Sequence, residues 1–385
     1  MKKKLAIIVT HPIQYYAPVF QLLGNDKTIE VKVFYTWGED SIKAKYDPGF
    51  GKVIDWDIPL LEGYPYEFLK NTSAAPGSHH FKGIINPEAI ERIVAFKPDA
   101  ILIYGWAYQS HLKIMRHFKG KIPVWFRGDS NLLDNNNASW KTFARYIFLR
   151  WVYRYTDKVF YVGKANKDYF LKYGVPDKKL VFAPHAIDNN RFSNDHSIEA
   201  QTLRKKLQLK DDEILILFAG KLEPKKNPIL LLDAFLQVNS PNLRLLFVGD
   251  GVLENQLKSK ASGNPAVHFL PFQNQQKIPG IYQSCDIFCL PSHGPGETWG
   301  LAVNEAMAAG KAVIVSNKVG CASDLVATDN GYIFNSSDIE ELKKILKQLT
   351  DRKDLLKMGS SSRIKVRNWS FENQVGAFLH TIYES

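Results

Sequence analysis

Short apolar runs alternate with longer segments of helical periodicity along the whole chain. In the first half the runs are Leu5 to Val9, Val31 to Tyr35, Ala100 to Tyr104, Val124 to Phe126 and Val159 to Val162. A second series comprises Ile214 to Ala219, Leu243 to Val248, Val267 to Leu270, Ile287 to Leu290, Ala312 to Val315 and Gly331 to Phe334. Runs this short that end in turn residues are typical of strands buried on both faces. The pattern therefore predicts an α/β fold, with parallel sheets covered by helices.

The length of the chain, 385 residues, exceeds the size at which a single core keeps growing, so two domains are expected. A polar stretch from Asp195 to Asp212, with a predicted helix from Ile198 to Gln208, separates the two series of strands. We therefore predict an N-terminal domain over 1–193 and a C-terminal domain over 194–370. The last helix, over about 371–383, has no strand after it. Ligands of such domains bind at the carboxyl ends of the strands, in a cleft.

Composition narrows the class of protein further. Three cysteines, Cys285, Cys289 and Cys321, offer no disulfide framework, and without clustered His or Asp they offer no metal site. The first apolar run is too short for a signal peptide, and no run approaches the length of a membrane span. These features predict a cytoplasmic protein. The run from Asn135 to Asn137 is predicted to be a loop.

The net charge of +11 is concentrated in the N-terminal half. Residues 1–190 contain 27 Lys and Arg against 18 Asp and Glu, a net charge of +9. This bias favours an anionic partner, either a phosphorylated acceptor or an acidic membrane surface at the inner face of the membrane. A basic surface that is only solvated and binds no partner fits the charge equally well. Nucleic acid is not expected, because no recognition motif is present and the lysines are scattered.

One segment of that half combines aromatic and basic residues. Between Trp140 and Tyr155, many aromatic side chains alternate with Lys141, Arg145, Arg150 and Arg154. The segment fits a helix that lies on a membrane surface, and it fits equally a helix packed on the sheet with its basic heads reaching water. The packed helix is the interpretation that we favour from the sequence.

The segment from Pro291 to Val315 carries the strongest chemical signal. It places Glu297 in a loop and Glu305 inside the following helix, which Gly310 is expected to end in a left-handed conformation. Main-chain N–H groups at the start of the helix would form a seat for phosphate, and they belong to Thr298, Trp299, Gly300 and Leu301. Carboxylates beside such a seat would bind hydroxyl groups, such as those of a ribose and of a second sugar. A nucleotide-sugar is the predicted ligand.

This segment resembles the donor-site motif of the family 4 glycosyltransferases. The shared features are Pro291-Ser292, the two glutamates separated by seven residues, and Ala306, Met307, Ala308 and Gly310 after the second glutamate. The resemblance implies the GT-B fold, two facing Rossmann-like domains with a cleft between them, and a last helix that crosses back onto the N-terminal domain.

The same resemblance implies an activity. The protein would be a retaining hexosyltransferase that needs neither metal nor cofactor. It would move a sugar from a nucleoside-diphosphate sugar, with UDP the expected nucleotide, to a hydroxyl of a glycan or lipid-linked acceptor, as in polysaccharide biosynthesis.

Roles for individual donor-site residues follow from the resemblance. Gly220, Lys221 and Lys226 stand where relatives have Gly-Arg and a later Lys, and both cations would face the diphosphate and stabilise its developing charge. A solvated basic turn is the alternative. Lys221 in place of Arg supplies a point charge instead of a bidentate fork. Glu305 would hold the ribose hydroxyls, Glu297 those of the transferred sugar, and the backbone near Phe272 and Gln273 would lie against the base.

The first domain offers candidates for the acceptor side. The loop after the first strand is bulkier than the paired glycines that many relatives have there, and we expect His11, Gln14 and Tyr15 to face the cleft. After the run that ends at Phe126, Arg127 could bind an acidic group and Asp129 an acceptor hydroxyl; equally, the two could pair in a surface turn. The segment 183–188 resembles a hinge support of the family.

Two other functions fit the same residues. A nucleotide-sugar epimerase on this fold would need no acceptor and would convert the donor alone. A non-catalytic module that binds sugar-nucleotides or glycans would bind ligand without forming any product, and the intact pair of glutamates and both lysines argue against it.

Overall fold

The structure is a computed structural model that describes residues 2–42, 45–47, 52–54, 56–134 and 140–384. The predicted loop from Asn135 to Asn137 lies outside the described residues. The chain forms two compact units. The first unit comprises Met1–Lys43, Pro59–His185 and Phe371–Ser385, and the second comprises Ala44–Ile58 and Ala186–Ser370. The domain boundaries predicted from the sequence stay a prediction.

The first unit is built on a seven-stranded parallel sheet in the order β5-β2-β1-β6-β7-β8-β9. Its strands are β1 (Lys3–Val9), β2 (Ile29–Tyr35), β5 (Tyr66–Phe68), β6 (Ala100–Tyr104), β7 (Val124–Arg127), β8 (Lys158–Tyr161) and β9 (Leu180–Phe182). A separate antiparallel pair, β3 (Lys45–Asp47) and β4 (Lys52–Ile54), belongs to the second unit.

The second unit is built on a six-stranded parallel sheet in the order β12-β11-β10-β13-β14-β15. Its strands are β10 (Ile214–Ala219), β11 (Leu243–Val248), β12 (Val267–Leu270), β13 (Ile287–Leu290), β14 (Ala312–Ser316) and β15 (Gly331–Phe334).

Helices connect the strands in both units. In the first unit they are α1 (Ala17–Asn25), α2 (Ala89–Phe96), α3 (Gln109–Phe118), α4 (Trp140–Tyr153), α5 (Lys164–Lys172) and α15 (Phe371–Glu384). In the second unit they are α6 (Asn189–Ser193), α7 (Ser197–Lys206), α8 (Pro228–Val238), α9 (Glu254–Lys260), α10 (Ile278–Ser284), α11 (Leu301–Ala308), α12 (Ala322–Leu325), α13 (Ile339–Gln348) and α14 (Arg352–Val366). No helix among the described residues is both long and apolar enough to cross a bilayer.

The central strands are apolar throughout because helices cover both faces of each sheet. All six residues of β10 and all five of β6 are buried. The predicted fold class, α/β with two Rossmann-like sheets, is confirmed. In each sheet the strand order reverses beside the first strand of its series, between β1 and β6 and between β10 and β13. Loops that leave adjacent strands in opposite directions at such a point open a crevice for ligands.

The predicted helix from Ile198 to Gln208 corresponds to α7, and the predicted last helix corresponds to α15. That helix packs within the first unit. Its Tyr383 hydroxyl donates to the main-chain oxygen of Thr28 at 2.8 Å, and the ring of Phe378 meets that of Phe160 edge to face at 4.7 Å.

Candidate functional site

The loops after β10 and β13 meet at the switch point of the second sheet. Strand β10 pairs directly with β13, so the residues that follow each strand emerge side by side. The first loop brings Lys226, which lies in a short turn from Pro224 to Lys226, and the second brings Glu297. The main-chain N–H of His293 donates to the main-chain oxygen of Lys225 at 3.0 Å and ties the two loops together.

Lys226 and Glu297 form a buried ion pair. The Lys226 Nζ donates to the Glu297 Oε2 at 2.8 Å, and the two side chains are 16% and 9% exposed. The same oxygen also accepts from the Ser292 hydroxyl at 3.0 Å. Ser292 is fully buried, and its main-chain oxygen in turn accepts from the Ser316 hydroxyl. The structure thus brings together two of the predicted site residues and adds Ser292, which holds the carboxylate in place.

Glycines let the strand ends approach closely beneath this pair. Gly249 has a φ of +137°, and a Cβ there would lie 2.0 Å from the main-chain oxygen of Gly220. Gly220 itself has a φ of +149°, and a Cβ at this position would meet the Lys226 side chain at 3.4 Å. The stem of Lys226 therefore crosses the bare face of Gly220, which directs its ammonium group toward Glu297.

The loop before α11 is braced by the segment after β14. Main-chain N–H groups of Gly320 and Cys321 donate to the oxygens of Glu297 and Trp299 at 3.1 Å and 2.9 Å. A Cβ on Gly320 would lie 1.7 Å from the main-chain oxygen of Thr298, so only glycine fits. The loop containing the predicted phosphate seat is thus held by main-chain contacts on its inner side.

Helix α11 has the boundaries that its glycines predict. Gly300 precedes the helix with a φ of +94°, and Gly310 follows it with a φ of +74°, which confirms the predicted left-handed stop. The N–H of Lys311 closes the end by donating to the Ala306 oxygen at 3.0 Å. At the other end, Leu301 is the first residue of the helix, and the first N–H groups of a helix have no partner within it. The geometry is suited to an anion.

Glu305 lies on the buried side of α11 and is 5% exposed. Its Oε2 accepts from the hydroxyl of Tyr282 on α10 at 2.8 Å, and Tyr282 is itself almost wholly buried. Beside it, the Trp299 Nε1 donates to the Asn304 Oδ1 at 2.9 Å. Neither Tyr282 nor Ser292 was predicted as a site residue.

The loop proposed to face the base follows β12. The N–H of Phe272 donates to the Asp250 Oδ1 at 3.1 Å, and the Gln273 side chain donates to the Pro271 oxygen at 3.0 Å. Both residues are half-buried, as is Lys221 beyond β10. The roles proposed for these three residues stay predictions.

A separate candidate site lies in the first unit, at the carboxyl ends of β1, β6, β7 and β8. It is a cavity of about 210 Å³, lined by Val9, Thr10, Ile13, Tyr16, Tyr104, Gly105, Ala107, Tyr108, Arg127, Gly128, Asp129, Val162 and His185. Arg127 and Asp129 were predicted acceptor residues. Tyr16 and His185 were not predicted, and their rings face each other at 6.4 Å.

Arg127 is a buried cation held by the main chain. It is 3% exposed, and its Nη1 and Nη2 donate to the oxygens of Ala183 and Pro184 at 2.8 Å and 3.0 Å. Burial lowers the pKa of Arg127, although guanidinium remains charged at neutral pH. The segment read as a hinge support thus supplies the carbonyls that fix Arg127, and Arg127 does not lie in a surface turn.

His185, Tyr16 and Tyr104 of the cavity are neutral at pH 7. Burial, with the charge of Arg127 as the second cause, lowers the pKa of His185 to about 4. Burial raises the pKa of Tyr16 and raises that of Tyr104 to about 12. The cavity therefore combines the guanidinium of Arg127 and the side chain of Asp129 with neutral hydroxyl and imidazole groups.

The loop after β1 contributes residues to the cavity that differ from those predicted. Thr10, Ile13 and Tyr16 line the cavity, whereas His11, Gln14 and Tyr15 are not among its lining residues. The Nδ1 of His11 lies 2.8 Å from the Thr10 hydroxyl, and its ring meets that of Trp37 edge to face at 5.2 Å. The acceptor roles of these three residues stay predictions.

Residues 199–365, which contain the ion pair, both glutamates and helix α11, match the family described as glycosyl transferases group 1. This part of the chain is similar to the glycosyl transferases of group 1. The resemblance seen in the sequence motif is thereby confirmed for this part of the chain.

The chain is also similar to curated proteins. The chain is 25% identical over 304 residues to the sulfoquinovosyl transferase SQD2 of Arabidopsis thaliana, covering 74% of this chain and 57% of that protein. It is 30% identical over 201 residues to the UDP-Gal:α-D-GlcNAc-diphosphoundecaprenol α-1,3-galactosyltransferase of Escherichia coli, covering 50% of this chain and 51% of that protein. The chain thus spans about half the length of the curated relatives that it matches.

Solved structures agree with the fold over the whole chain. The Anabaena HepE protein in complex with UDP and glucose superposes with a TM-score of 0.73 at 18% identity, and the match covers 100% of both chains. At this identity the match shows the fold alone.

Proposed function

We propose that this protein is a retaining glycosyltransferase. It would move a hexose from a nucleoside-diphosphate sugar, with UDP as the preferred nucleotide, to a hydroxyl of a glycan or lipid-linked acceptor. Support comes from the group 1 glycosyl transferase match over 199–365 and from relatives whose names specify sugar transfer, one of them from UDP-Gal to a diphosphoundecaprenol-linked sugar.

The ion pair between Lys226 and Glu297 carries the proposal. It places an ammonium and a carboxylate 2.8 Å apart at the switch point of the sheet, beside the start of α11. An ammonium here stabilises the charge that builds on the departing diphosphate, which is the main electrostatic demand of sugar transfer. The carboxylate is positioned to accept hydrogen bonds from sugar hydroxyls, and Lys221 adds a second cation on the same loop.

Glu305 is proposed to hold the ribose. Its second oxygen anchors on the Tyr282 hydroxyl at 2.8 Å, so the carboxylate has one fixed orientation. A carboxylate with a fixed rotamer binds a vicinal diol with less loss of entropy than a mobile one. The main chain near Phe272 and Gln273 is proposed to lie against the base.

The cavity of the first unit is the proposed acceptor site. Arg127 uses two of its five N–H donors on main-chain carbonyls, which fixes the plane of its guanidinium. A guanidinium held in this way suits an anionic group such as an acceptor phosphate, and Asp129 suits a neighbouring hydroxyl. We propose a cytoplasmic protein whose basic N-terminal half contacts the membrane when the acceptor is lipid-linked.

A binding screen followed by a product assay tests this function. UDP and UDP-hexoses should raise the melting temperature more than GDP and its sugars, because a ligand that binds only the native state stabilises it. Incubation with UDP-sugar alone should yield no new sugar-nucleotide, and addition of acceptor should release UDP with product. A new sugar-nucleotide without acceptor would instead indicate an epimerase, and binding without product under every acceptor would indicate a binding module.

A further inference from the structure

Helix α4 has apolar side chains on both of its faces, and among the described residues only one face is covered. Leu149, Val152 and Tyr153 are buried against the first unit. Trp140, Phe143, Ile147 and Phe148 are 76%, 67%, 52% and 39% exposed. We call these four residues, with the half-buried Trp151, the outer stripe.

The residues of the outer stripe form one continuous apolar surface. Its members occupy positions i, i+3, i+7, i+8 and i+11, and Ala144 fills i+4. At 100° per residue these positions form one side of a helix, opposite to the buried side. The rings of Trp106, Phe148 and Trp151 adjoin at 5.3 Å and 5.7 Å and continue the surface beyond the helix. Single exposed apolar residues need no explanation, whereas a contiguous apolar surface indicates a binding site.

Basic residues flank the outer stripe. Lys141 and Arg150 are exposed and lie on opposite sides of it by helical geometry. The Arg116 guanidinium lies 5.5 Å from the ring centre of Trp151 and adds a third cation at its edge. The sequence contains no Asp or Glu between 135 and 156.

We propose that the outer stripe is a docking surface for an anionic lipid bilayer, with its apolar residues at the acyl boundary and the cations among lipid phosphates. This combination of an apolar face flanked by Lys and Arg is the physical requirement for a helix that lies in the membrane interface. A second copy of the chain fits less well, because it would bring the like charges of Lys141 and Arg150 against one another with no acid on the helix to pair with them. The proposal rests on the proposed membrane contact of the first unit but not on the transfer reaction.

Vesicle flotation with the full chain tests the proposal. The protein should float with vesicles of phosphatidylcholine and phosphatidylglycerol, should bind phosphatidylcholine alone much less, and should lose binding as salt is raised. The triple variant Trp140→Ser/Phe143→Ser/Ile147→Ser should bind on the order of 100-fold more weakly, at about fivefold for each apolar side chain removed. The variant Lys141→Gln/Arg150→Gln should lose roughly 20-fold, and only on the anionic vesicles.

Matched substitutions on the second unit serve as controls. Ile198→Ser removes an apolar side chain that is 78% exposed, and Lys344→Gln/Lys347→Gln removes two exposed cations. Both should float like the wild type. Circular dichroism and the UDP thermal shift, measured on every variant, separate loss of docking from misfolding and from failure of the proposed transferase function.

Three results would overturn the proposal. The first is failure of the wild-type protein to float with anionic vesicles at low salt. The second is a folded triple variant that floats as well as Ile198→Ser. The third is a concentration-dependent dimer, seen by sedimentation without vesicles and abolished by the triple variant, because a second copy would then be the occupant.

Discussion

Substitution of Lys226 by Met tests the centre of the proposed mechanism. Met keeps most of the apolar stem that crosses Gly220 and removes only the ammonium group. The ion pair with Glu297 is lost, and the carboxylate, 9% exposed, keeps the hydrogen bond from Ser292. Two effects are expected: one on folding stability, because a buried charge loses its partner, and one on catalysis, because a diphosphate loses a cation.

The magnitudes follow from the burial of the pair. Removing one partner of a fully buried ion pair costs about 3–5 kcal/mol, and exposed pairs are worth about 0–1 kcal/mol. With both side chains mostly but not wholly buried, we expect a loss of about 1–3 kcal/mol in the free energy of unfolding. Turnover should fall by about two to three orders of magnitude, as when one preorganised donor is removed from an active site.

A double-mutant cycle separates the two effects. Glu297→Gln keeps the shape of the side chain and its hydrogen bond with Ser292, and in the double variant with Lys226→Met no unpaired charge remains. Urea unfolding should show that the double variant regains most of the lost stability. Calorimetry should show that it does not regain UDP affinity, because under the proposed function the ammonium itself contacts the diphosphate. Lys225→Met is the control, since that side chain is 41% exposed and pairs only loosely with Glu223 at 3.5 Å.

Two results would refute the proposed role of Lys226 at the diphosphate. If the double variant recovered UDP affinity along with stability, Lys226 would serve only to neutralise Glu297, and the proposed role at the diphosphate would be withdrawn. Wild-type turnover in a folded Lys226→Met protein would have the same consequence.

Three further predictions concern other parts of the molecule. Tyr282→Phe removes the hydroxyl that donates to Glu305 at 2.8 Å, and calorimetry should show UDP affinity reduced about tenfold, with a change below threefold arguing against ribose binding by this carboxylate. Gly249→Ala forces a Cβ to within 2.0 Å of a main-chain oxygen at a positive φ, and urea unfolding should show a loss of about 2 kcal/mol or more; an unchanged midpoint would contradict the close approach. Burial lowers the pKa of both His111 and His185 to about 4, below the reference value of 6.5, so the native state binds fewer protons than the unfolded state and the free energy of unfolding should decrease as pH falls from about 6.5 to 4. NMR at pH 5.5 should show both imidazoles neutral, and protonated rings would refute this.

The positions of the strands could be predicted from the sequence because most of the strands are buried on both faces. The predicted bounds of β6, β10, β11, β12, β13 and β15 match the structure residue for residue. The two edge strands of the first sheet, β5 and β9, were not predicted. Each is three residues long and has no fully buried position. An edge strand packs against one neighbour only, so its sequence need not be continuously apolar.

Candidate site residues could be predicted from the sequence where they belong to a short motif or follow a predicted strand. Glu297, Glu305 and Gly310 fall within one motif, and their placement in a loop, a helix and a helix end is as expected. Tyr282 lies outside that motif, on another helix, and no periodicity relates its hydroxyl to Glu305. His185 was read as part of a hinge because nothing local signals the cavity that the loops after four separate strands create.

The ion pair between Lys226 and Glu297 explains how a carboxylate can lie beside a proposed diphosphate site. A diphosphate at the proposed donor site would carry negative charge that Glu297 alone would repel, and the ammonium of Lys226 would reverse the sign of that interaction. When the donor binds, Lys226 can share its three N–H donors between the phosphate and the carboxylate, because an ammonium is a rotatable point charge. Under the proposed function, Glu297 would then accept hydrogen bonds from sugar hydroxyls with its remaining lone pairs, while Ser292 keeps the carboxylate oriented. Removal of the carboxylate should therefore weaken UDP-sugar more than UDP, whereas removal of the ammonium should weaken both; equal losses for Glu297→Gln would contradict this division of roles.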